Sequence, residues 1–370
     1  MQETIKRGPS LHRDVCVVGA GPIGLAIAWR CAQRGLAVTV VDDGRPGAAH
    51  AAAGMLGPVV EAYFGEEAVT NLLVESARRW PGFADELGED IGYRTDGTLV
   101  VALTGDDLAE AERLRAYQAE LKLPIETLRG SELRDREPLL SPRVRGGAFA
   151  PGDHQVDPRR LLPALRRAAV AAGAHIIRDM PADLALVRSQ IGHSGMTTAR
   201  STGVVVVAAG CGSASLAGVP VRPVKGQILR LRAPGGGPPG FRHVIRGYAD
   251  GRHVYLVPRV DGEVVVGASV EERTDSAVTV GAVLELLRAA ADLVPEVAEY
   301  ELVETLAGHR PGTPDNAPII GSLEPGVVVA TGHHRHGIVL TPITADLVAD
   351  LVTTGVPDPL LAPFSPARFS

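Results

Sequence analysis

Apolar and polar positions along this chain change their period partway, from helical and continuous runs to strict alternation. From Asp14 to Asp43 the residues read DVCVVGAGPIGLAIAWRCAQRGLAVTVVDD. A short apolar run, a glycine-rich break, a helically spaced stretch closed by Gly35 and a second apolar run predict strand, turn, helix and strand. Glu66 to Leu87 and Asp106 to Leu121 carry helical spacing, the first ending at Gly88, and Asp96 to Leu103 predicts a turn and strand. Pro124, Pro138 and Pro142 break the stretch Pro124 to Arg145, and Gly146 to His154 reads as strand and turn. Asp157 then Pro158 predict an N-cap and first helical position for a helix reaching Gly173, and Ala174 to Ile177 a short strand. The β-branched run GVVVVAAG, Gly203 to Gly210, predicts a strand buried on both faces. From Pro220 the pattern alternates, so Gln227 to Leu231, His253 to Val257 and Glu263 to Val266 predict antiparallel strands. Val278 to Leu293 predicts a helix. Glu299 to Ala307 predicts a strand leading into a proline-rich turn, HRPG, and Val327 to Ala330 another strand. A helix from about Gly337 to Thr353 follows GHHRHG. The fold class is α/β plus α+β: a Rossmann-like domain and a second domain built on an antiparallel sheet.

The opening unit carries chemistry as well as structure. Gly19, Gly21 and Gly24 supply a tight turn, bare backbone towards a pyrophosphate, and close helix-to-strand contact. Pro22 occupies the first helical position, so the amide-rich helix start points at the phosphates. Asp42 ends the second strand, where its carboxylate accepts the ribose hydroxyls of an adenine dinucleotide. The literal GGGPPG at Gly235 to Gly240 has no strand before it and two prolines against a helix start, so it reads as a surface loop.

Composition narrows the classes of partner. A chain of 370 residues exceeds one ordinary core and fits two domains, or one with a large insertion. A net charge of −6 with interspersed signs gives no footprint for nucleic acid or a membrane surface, which favours a small-molecule partner. Only Lys6, Lys122 and Lys225 among the 37 basic residues are lysines, so arginine number alone carries little weight. Cys16, Cys31 and Cys211 lack metal-ligand spacing and read as small apolar residues in a reducing compartment. No signal-like segment and no run of ~18 apolar residues is visible, so the expectation is a soluble, cytoplasmic protein.

The chain resembles the D-amino-acid oxidase superfamily of FAD enzymes, and within it the glycine oxidases of the thiamine pathway. The likeness covers nearly the whole chain. It rests on GAGPIG with Asp42, on AAAGML (Ala51 to Leu56), PVKGQ (Pro223 to Gln227) and VYLVPR (Val254 to Arg259), and on AGHRPGTPDNAPIIG (Ala307 to Gly321) with GHHRHGIVLTP (Gly332 to Pro342). It implies a discontinuous FAD-binding domain from 1–88, 146–218 and 305–370, and a substrate domain from 89–145 and 219–304. It also implies that Pro22, Ile23, Asp42, Asp43, Ala48 and Ala49 line the ADP half of noncovalent FAD. Ala53, Gly54 and Met55 would approach the flavin, and Ala182 would meet the adenine by its backbone. The AAG that closes the buried strand, Ala208 to Gly210, reads from its own pattern either as backbone passing a cofactor or as the plain end of a buried strand. His333, His334, Arg335, His336, Gly337, Ile338 and Val339 would run under the isoalloxazine ring. There the start of the last helix would stabilise negative charge on the reduced ring.

Oxidising an amino acid with a flavin requires chiefly that the Cα–H be aimed at the ring. A planar guanidinium fork holds a carboxylate best, so Arg310 is the expected anchor, Tyr255 a hydroxyl donor to the same carboxylate, and Arg335 a charge or backbone carbonyl on the amine side. The corresponding bland readings are a surface arginine, a tyrosine packed in a sheet and a solvated loop arginine. His309, His333, His334, His336 and, further off, His253 crowd these segments, but no carboxylate or cysteine stands at ligand spacing, so no metal is expected. Lys225 reads either as approaching the flavin or as a surface lysine at a strand start. Two residues depart from glycine oxidases: His336, where Asn is usual, and Val270, where Met is common near the substrate. The expected reaction turns glycine, sarcosine or a small D-amino acid into an imine, then a 2-oxo acid and ammonia, while O2 becomes H2O2. Competing readings are a sarcosine-oxidase-like or D-amino-acid dehydrogenase activity, a nicotinamide-dependent reductase, and a non-catalytic FAD-binding protein. The first of these loses ground because covalent-flavin sarcosine oxidases carry a C-terminal cysteine and none follows Cys211. Partners are a small amino acid and O2, with no nucleic acid and no membrane; a homo-oligomer is left open.

Overall fold

A computed structural model describes residues 14–180 and 203–369. Two large sheets organise it. The first has six strands in the order Ile319–Glu324, Val327–Thr331, Val204–Val207, Val15–Val18, Val38–Val41 and His175–Ile177, all parallel neighbours except the antiparallel pair at the Ile319 edge. Val204–Val207 sits in the interior of this sheet with Val205, Val206 and Val207 buried, the two-faced burial that its β-branched run predicts. The second sheet has eight strands in the order Glu301–Gly312, Arg222–Arg232, Glu263–Gly267, Arg252–Pro258, Val244–Ala249, Thr98–Ala102, Gly146–Ala150 and Glu126–Arg129. It is antiparallel except where Val244–Ala249 runs parallel to Thr98–Ala102.

The helix Pro22–Gln33 lies on the first sheet and packs against Pro158–Ala171 and Thr341–Thr354. Small residues at Ala26 and Ala28, beside Leu25 and Ile27, let it be buried on all sides. Asp157 caps the second of these helices by accepting from Arg159 N at 2.9 Å, and Pro158 is its first residue, as the dipeptide predicts. The helix Glu67–Leu87 ends at a left-handed Gly88, again as expected. A second core lies between the eight-stranded sheet and the helix Val280–Leu293, around Leu229, Ile245, Leu256, Val266 and Leu293.

Three local expectations need correction. The segment taken as broken by prolines contains the strand Glu126–Arg129 and the helix Gly130–Arg136, both too short to leave a readable period. The HRPG sequence is no turn, because the strand runs unbroken from Glu301 to Gly312. Pro311 is tolerated there because this is the edge of the sheet, where a missing N–H leaves no ladder bond unmade; Pro223 faces it in the neighbouring strand. The last helix begins at Thr341, not near Gly337, with Pro342 in its first turn and a short 3₁₀ turn at His334–His336 ahead of it. The strands Gly146–Ala150 and Glu301–Gly312 hydrogen-bond into the eight-stranded sheet.

Candidate active site

The nucleotide end of the site is built by the first strand, turn and helix. Gly21 caps the helix with no side-chain hydrogen bond, and a Cβ added to it would meet nothing within 4 Å. Around it the backbone is crowded: a Cβ on Gly19 would lie 2.5 Å from Ala208 O, and one on Gly24 would lie 2.0 Å from Gly19 O. Two glycines therefore serve packing, and the third leaves uncapped amides facing open space, which fits a pyrophosphate. Asp42 is half-buried above this turn and accepts from Ala20 N at 2.7 Å and Gly44 N at 2.9 Å. These two bonds fix a carboxylate where a ribose would meet it. Asp43 is exposed and turned towards Arg45. Ala48 and Ala49 lie in the 3₁₀ turn Ala48–Ala51. Ala182 lies outside the described residues.

The segment Ala53, Gly54 and Met55 is held by the buried Arg259, which donates to Ala53 O and, at 2.7 Å, to Gln155 Oε1. Burial pulls the Arg259 guanidinium down to about 10, still charged at neutral pH. Gly54 has φ +79° and a Cβ there would lie 1.9 Å from Val156 O, so protein packing alone requires glycine at this position. Gly210 is also left-handed, and its carbonyl accepts from Thr331 Oγ1 at 3.1 Å.

The segment His333 to Val339 is anchored at both ends. Val339 O accepts from Ser76 Oγ at 2.6 Å and Trp80 Nε1 at 2.9 Å, both on the helix Glu67–Leu87. His333 Nε2 is 3.1 Å from Thr344 Oγ1 in the last helix. Burial pushes His333 down to about 3, and burial with the nearby Arg335 and Arg310 pushes His334 down to about 4. His336 is driven to about 3, again chiefly by burial, and both its ring nitrogens are buried with no partner among the described residues. These imidazoles are neutral at neutral pH. Orphaned polar atoms of this kind fit a segment that faces a polar, ring-shaped cofactor. Because the last helix starts later than expected, the amides of its first turn lie at Thr341 and beyond, and the nearer backbone is the 3₁₀ turn.

The residues expected at the substrate end lie on or beside the eight-stranded sheet. Arg310 lies along Gly226, where a Cβ would come within 2.3 Å of its Nη1, and it donates to Ser269 O at 3.2 Å. No carboxylate among the described residues pairs with it. Tyr255 covers Gly267 in the same way, its hydroxyl 2.3 Å from where a Cβ would stand. Burial pushes its phenol up, while the charges of Arg310, Glu61 and Arg246 also reach it, so it stays a neutral donor. Arg335 pairs with Glu61 (Nε to Oε2, 2.8 Å) and Glu66 (Nη2 to Oε2, 3.1 Å) and lies 4.4 Å from the centre of the Tyr63 ring.

Glu61, Tyr63 and Arg246 escape a reading of the sequence alone. Glu61 follows an apolar stretch and is buried, with Arg246 on its other oxygen. Burial works to raise its carboxyl, but Arg246 and Arg335 outweigh that and hold it at about 2. Arg246 stands opposite Tyr255 in the ladder, and its Nη2 donates to Tyr63 Oη at 2.5 Å. The one available signal was a charged residue inside the apolar run VIRGYA. Lys225 is neither at the surface nor aimed at a ring: it is fully buried, and Nζ donates to Asp275 Oδ1 at 2.8 Å and Ala277 O at 2.6 Å. His309 turns its Nε2 to Asp275 O at 3.1 Å, and His253 pairs with Glu110 at 3.1 Å. Among the described residues no group of three metal-ligating side chains comes together, and no helix is long and apolar enough to cross a membrane.

Comparison with known proteins agrees with this geometry. The family model described as DAO, FAD dependent oxidoreductase, matches residues 14–351. The chain is 34% identical over 380 residues to the glycine oxidase of Geobacillus kaustophilus, covering 96% of this chain and 97% of that protein. It is 35% identical over 370 residues to the bifunctional protein ThiO/ThiG of a Nostoc species, covering 97% of this chain and 55% of that protein. The chain thus spans about half the length of that bifunctional relative. Among solved structures, the crystal structure of glycine oxidase from Geobacillus kaustophilus matches with a TM-score of 0.83 and 32% identity, covering 96% of this chain and 98% of that one.

Proposed function

This chain belongs to the DAO family of FAD-dependent oxidoreductases, and on that premise we propose that it oxidises glycine or another small amino acid or secondary amine, with noncovalent FAD as cofactor and O2 as acceptor. The products are an imine, which water converts to a 2-oxo acid and ammonia (a primary amine in place of ammonia where the substrate is a secondary amine), and H2O2. One observation carries the reading. In a half-buried site where Arg246 and Arg335 are matched by acids, Arg310 has no acidic partner among the described residues and lies beside the neutral phenol of Tyr255. A planar fork with free donors next to a hydroxyl donor suits a single carboxylate.

FAD, when bound, supplies the acceptor for the hydride that leaves the substrate Cα. Gly21, Asp42 and the Ala53 to Met55 segment would hold its nucleotide and linker. The His333 to Val339 segment, fixed by Ser76, Trp80 and Thr344, would lie against the ring. Arg310 and Tyr255 would clamp the substrate carboxylate, and the clamp sets the angle at which Cα meets the ring. His334 and His336, neutral at working pH, add no competing positive charge beside the amine. Noncovalent attachment is supported by Cys211, whose Sγ contacts His309 O at 3.7 Å and whose thiol is pushed by burial to about 11, and by the lack of any later cysteine. The relatives named ThiO/ThiG favour a place in the thiamine pathway, and a cytoplasmic location accompanies that reading.

Anaerobic mixing with glycine, sarcosine and small D-amino acids tests the proposal. Bleaching of the flavin absorbance by at least one of them is expected. A yellow protein that none of them bleaches would be a binding protein rather than an oxidase.

A further inference from the structure

We propose that Glu61 sets the charge specificity of the substrate site: by pairing with Arg246 and Arg335 it leaves Arg310 as the one guanidinium of the three without an acidic partner, and so selects substrates with one carboxylate over those with two. This rests on the amino-acid oxidase reading above.

The pairing is built, not incidental. Glu61 is buried, with Oε1 on Arg246 Nη1 and Oε2 2.8 Å from Arg335 Nε. Tyr63, two residues on, binds the same two arginines, by its hydroxyl to Arg246 at 2.5 Å and by its ring face to Arg335 at 4.4 Å. Glu66 takes Nη2 of Arg335 at 3.1 Å. One short segment, 61–66, thus pairs both arginines with acids. Arg246 also stands across the ladder from Tyr255, and Tyr255 lies within reach of the charges of Arg310, Glu61 and Arg246 together. The committed pairs therefore border the place where the Arg310 and Tyr255 clamp would hold a carboxylate. A second carboxylate reaching for Arg246 or Arg335 must displace Glu61 or lie beside it, and like charges in a desolvated site repel strongly. A monocarboxylate meets no such charge. Discrimination of this kind works by a repulsive element rather than by an added contact.

The test uses the yellow holoenzyme. Acetate and malonate, one and two carboxylates without a reactive amine, are titrated against the flavin spectrum. Wild type is expected to bind malonate no more tightly than acetate; tighter malonate binding would overturn the proposal, whatever the variants do. In Glu61→Gln the ratio of kcat/KM for iminodiacetate to that for glycine should rise tenfold or more, and the malonate-to-acetate affinity ratio should rise with it. Unchanged ratios in a folded, yellow variant would also overturn it. Should Glu61→Gln fail to retain FAD, the wild-type titration still decides. Failure of the oxidase reading itself is distinct: no amino acid would bleach the wild-type flavin, while the acetate and malonate titrations would still report on Glu61.

Discussion

Removing the Arg310 guanidinium should leave a desolvated substrate carboxylate unpaired, at a cost of about 3 to 5 kcal/mol. That corresponds to about two to four decades in kcat/KM for Arg310→Ala on the best amino acid, with normal FAD content. Arg310→Lys should recover only part, since a point charge lacks the fork. Near wild-type kcat/KM in Arg310→Ala would remove it from the carboxylate site. Asp42→Ala should weaken FAD retention by about 1 to 3 kcal/mol, the scale of charge-assisted hydrogen bonds to ribose, so that holo-protein yield and Tm both fall unless FAD is in excess. Unchanged FAD affinity would take Asp42 out of the nucleotide site. Residues of this kind can be nominated from sequence because each sits in a local motif, the glycine turn with Asp42 or the HRPG segment. Glu61 and Arg246 cannot be, because they are 185 positions apart and their pairing depends on how two distant segments meet.

Elements carry the site by the way they are pinned, and the Val339 carbonyl is the clearest case. It accepts two donors from one helix, Ser76 and Trp80, four residues apart and therefore on the same face. Ser76→Ala or Trp80→Phe alone leaves that carbonyl with one partner, and its hydrogen-bond loss should cost about 0.5 to 1.5 kcal/mol. The double variant leaves a buried carbonyl unsatisfied, so its cost should exceed the sum of the two. A double-mutant cycle on holo-protein stability, with the visible flavin spectrum as a second readout, checks this; strict additivity would mean that the two bonds do not share a role. The sequence pattern located both the helix and the segment it holds, but not the bond between them. It also ended the strand at Ala307 rather than Gly312, and misplaced the start of the last helix. In both places local proline and glycine signals were overruled, by a sheet edge that tolerates a missing N–H and by the tight 3₁₀ turn at His334–His336.

At the scale of the whole molecule, the three buried imidazoles make stability depend on pH. His333, His334 and His336 are held at about 3, 4 and 3 in the folded chain, against an ordinary value of 6.5. Below pH 6.5 the unfolded chain takes up protons that the folded chain refuses, so stability falls with acidification, by up to about 1.4 kcal/mol per pH unit for each group. Asp153 acts in the opposite sense. Burial raises its carboxyl from 3.8 to about 7, against the pull of Val59 N and Val60 N at 3.0 Å each, so between those values the folded chain holds a proton that the unfolded chain has lost. It offsets one histidine but not three. Glu61, held at about 2, adds stability that is lost only as pH falls below its ordinary 4.5, outside the upper part of this window. Acid destabilisation should therefore begin near pH 6.5, before the paired carboxylates titrate. His336 is the residue to change, because its position usually carries Asn in the glycine oxidases that the chain resembles. His336→Asn keeps a polar side chain there and removes one titration, so denaturant midpoints between pH 5 and 6.5 should fall less steeply than in wild type. Because Glu61, Arg335, His334 and Arg246 all act on His336, the comparison is made on the holoenzyme with those residues intact. Parallel slopes for the two proteins would mean that His336 already carries its proton in the folded state, and the neutral character assigned to this segment would fail with it.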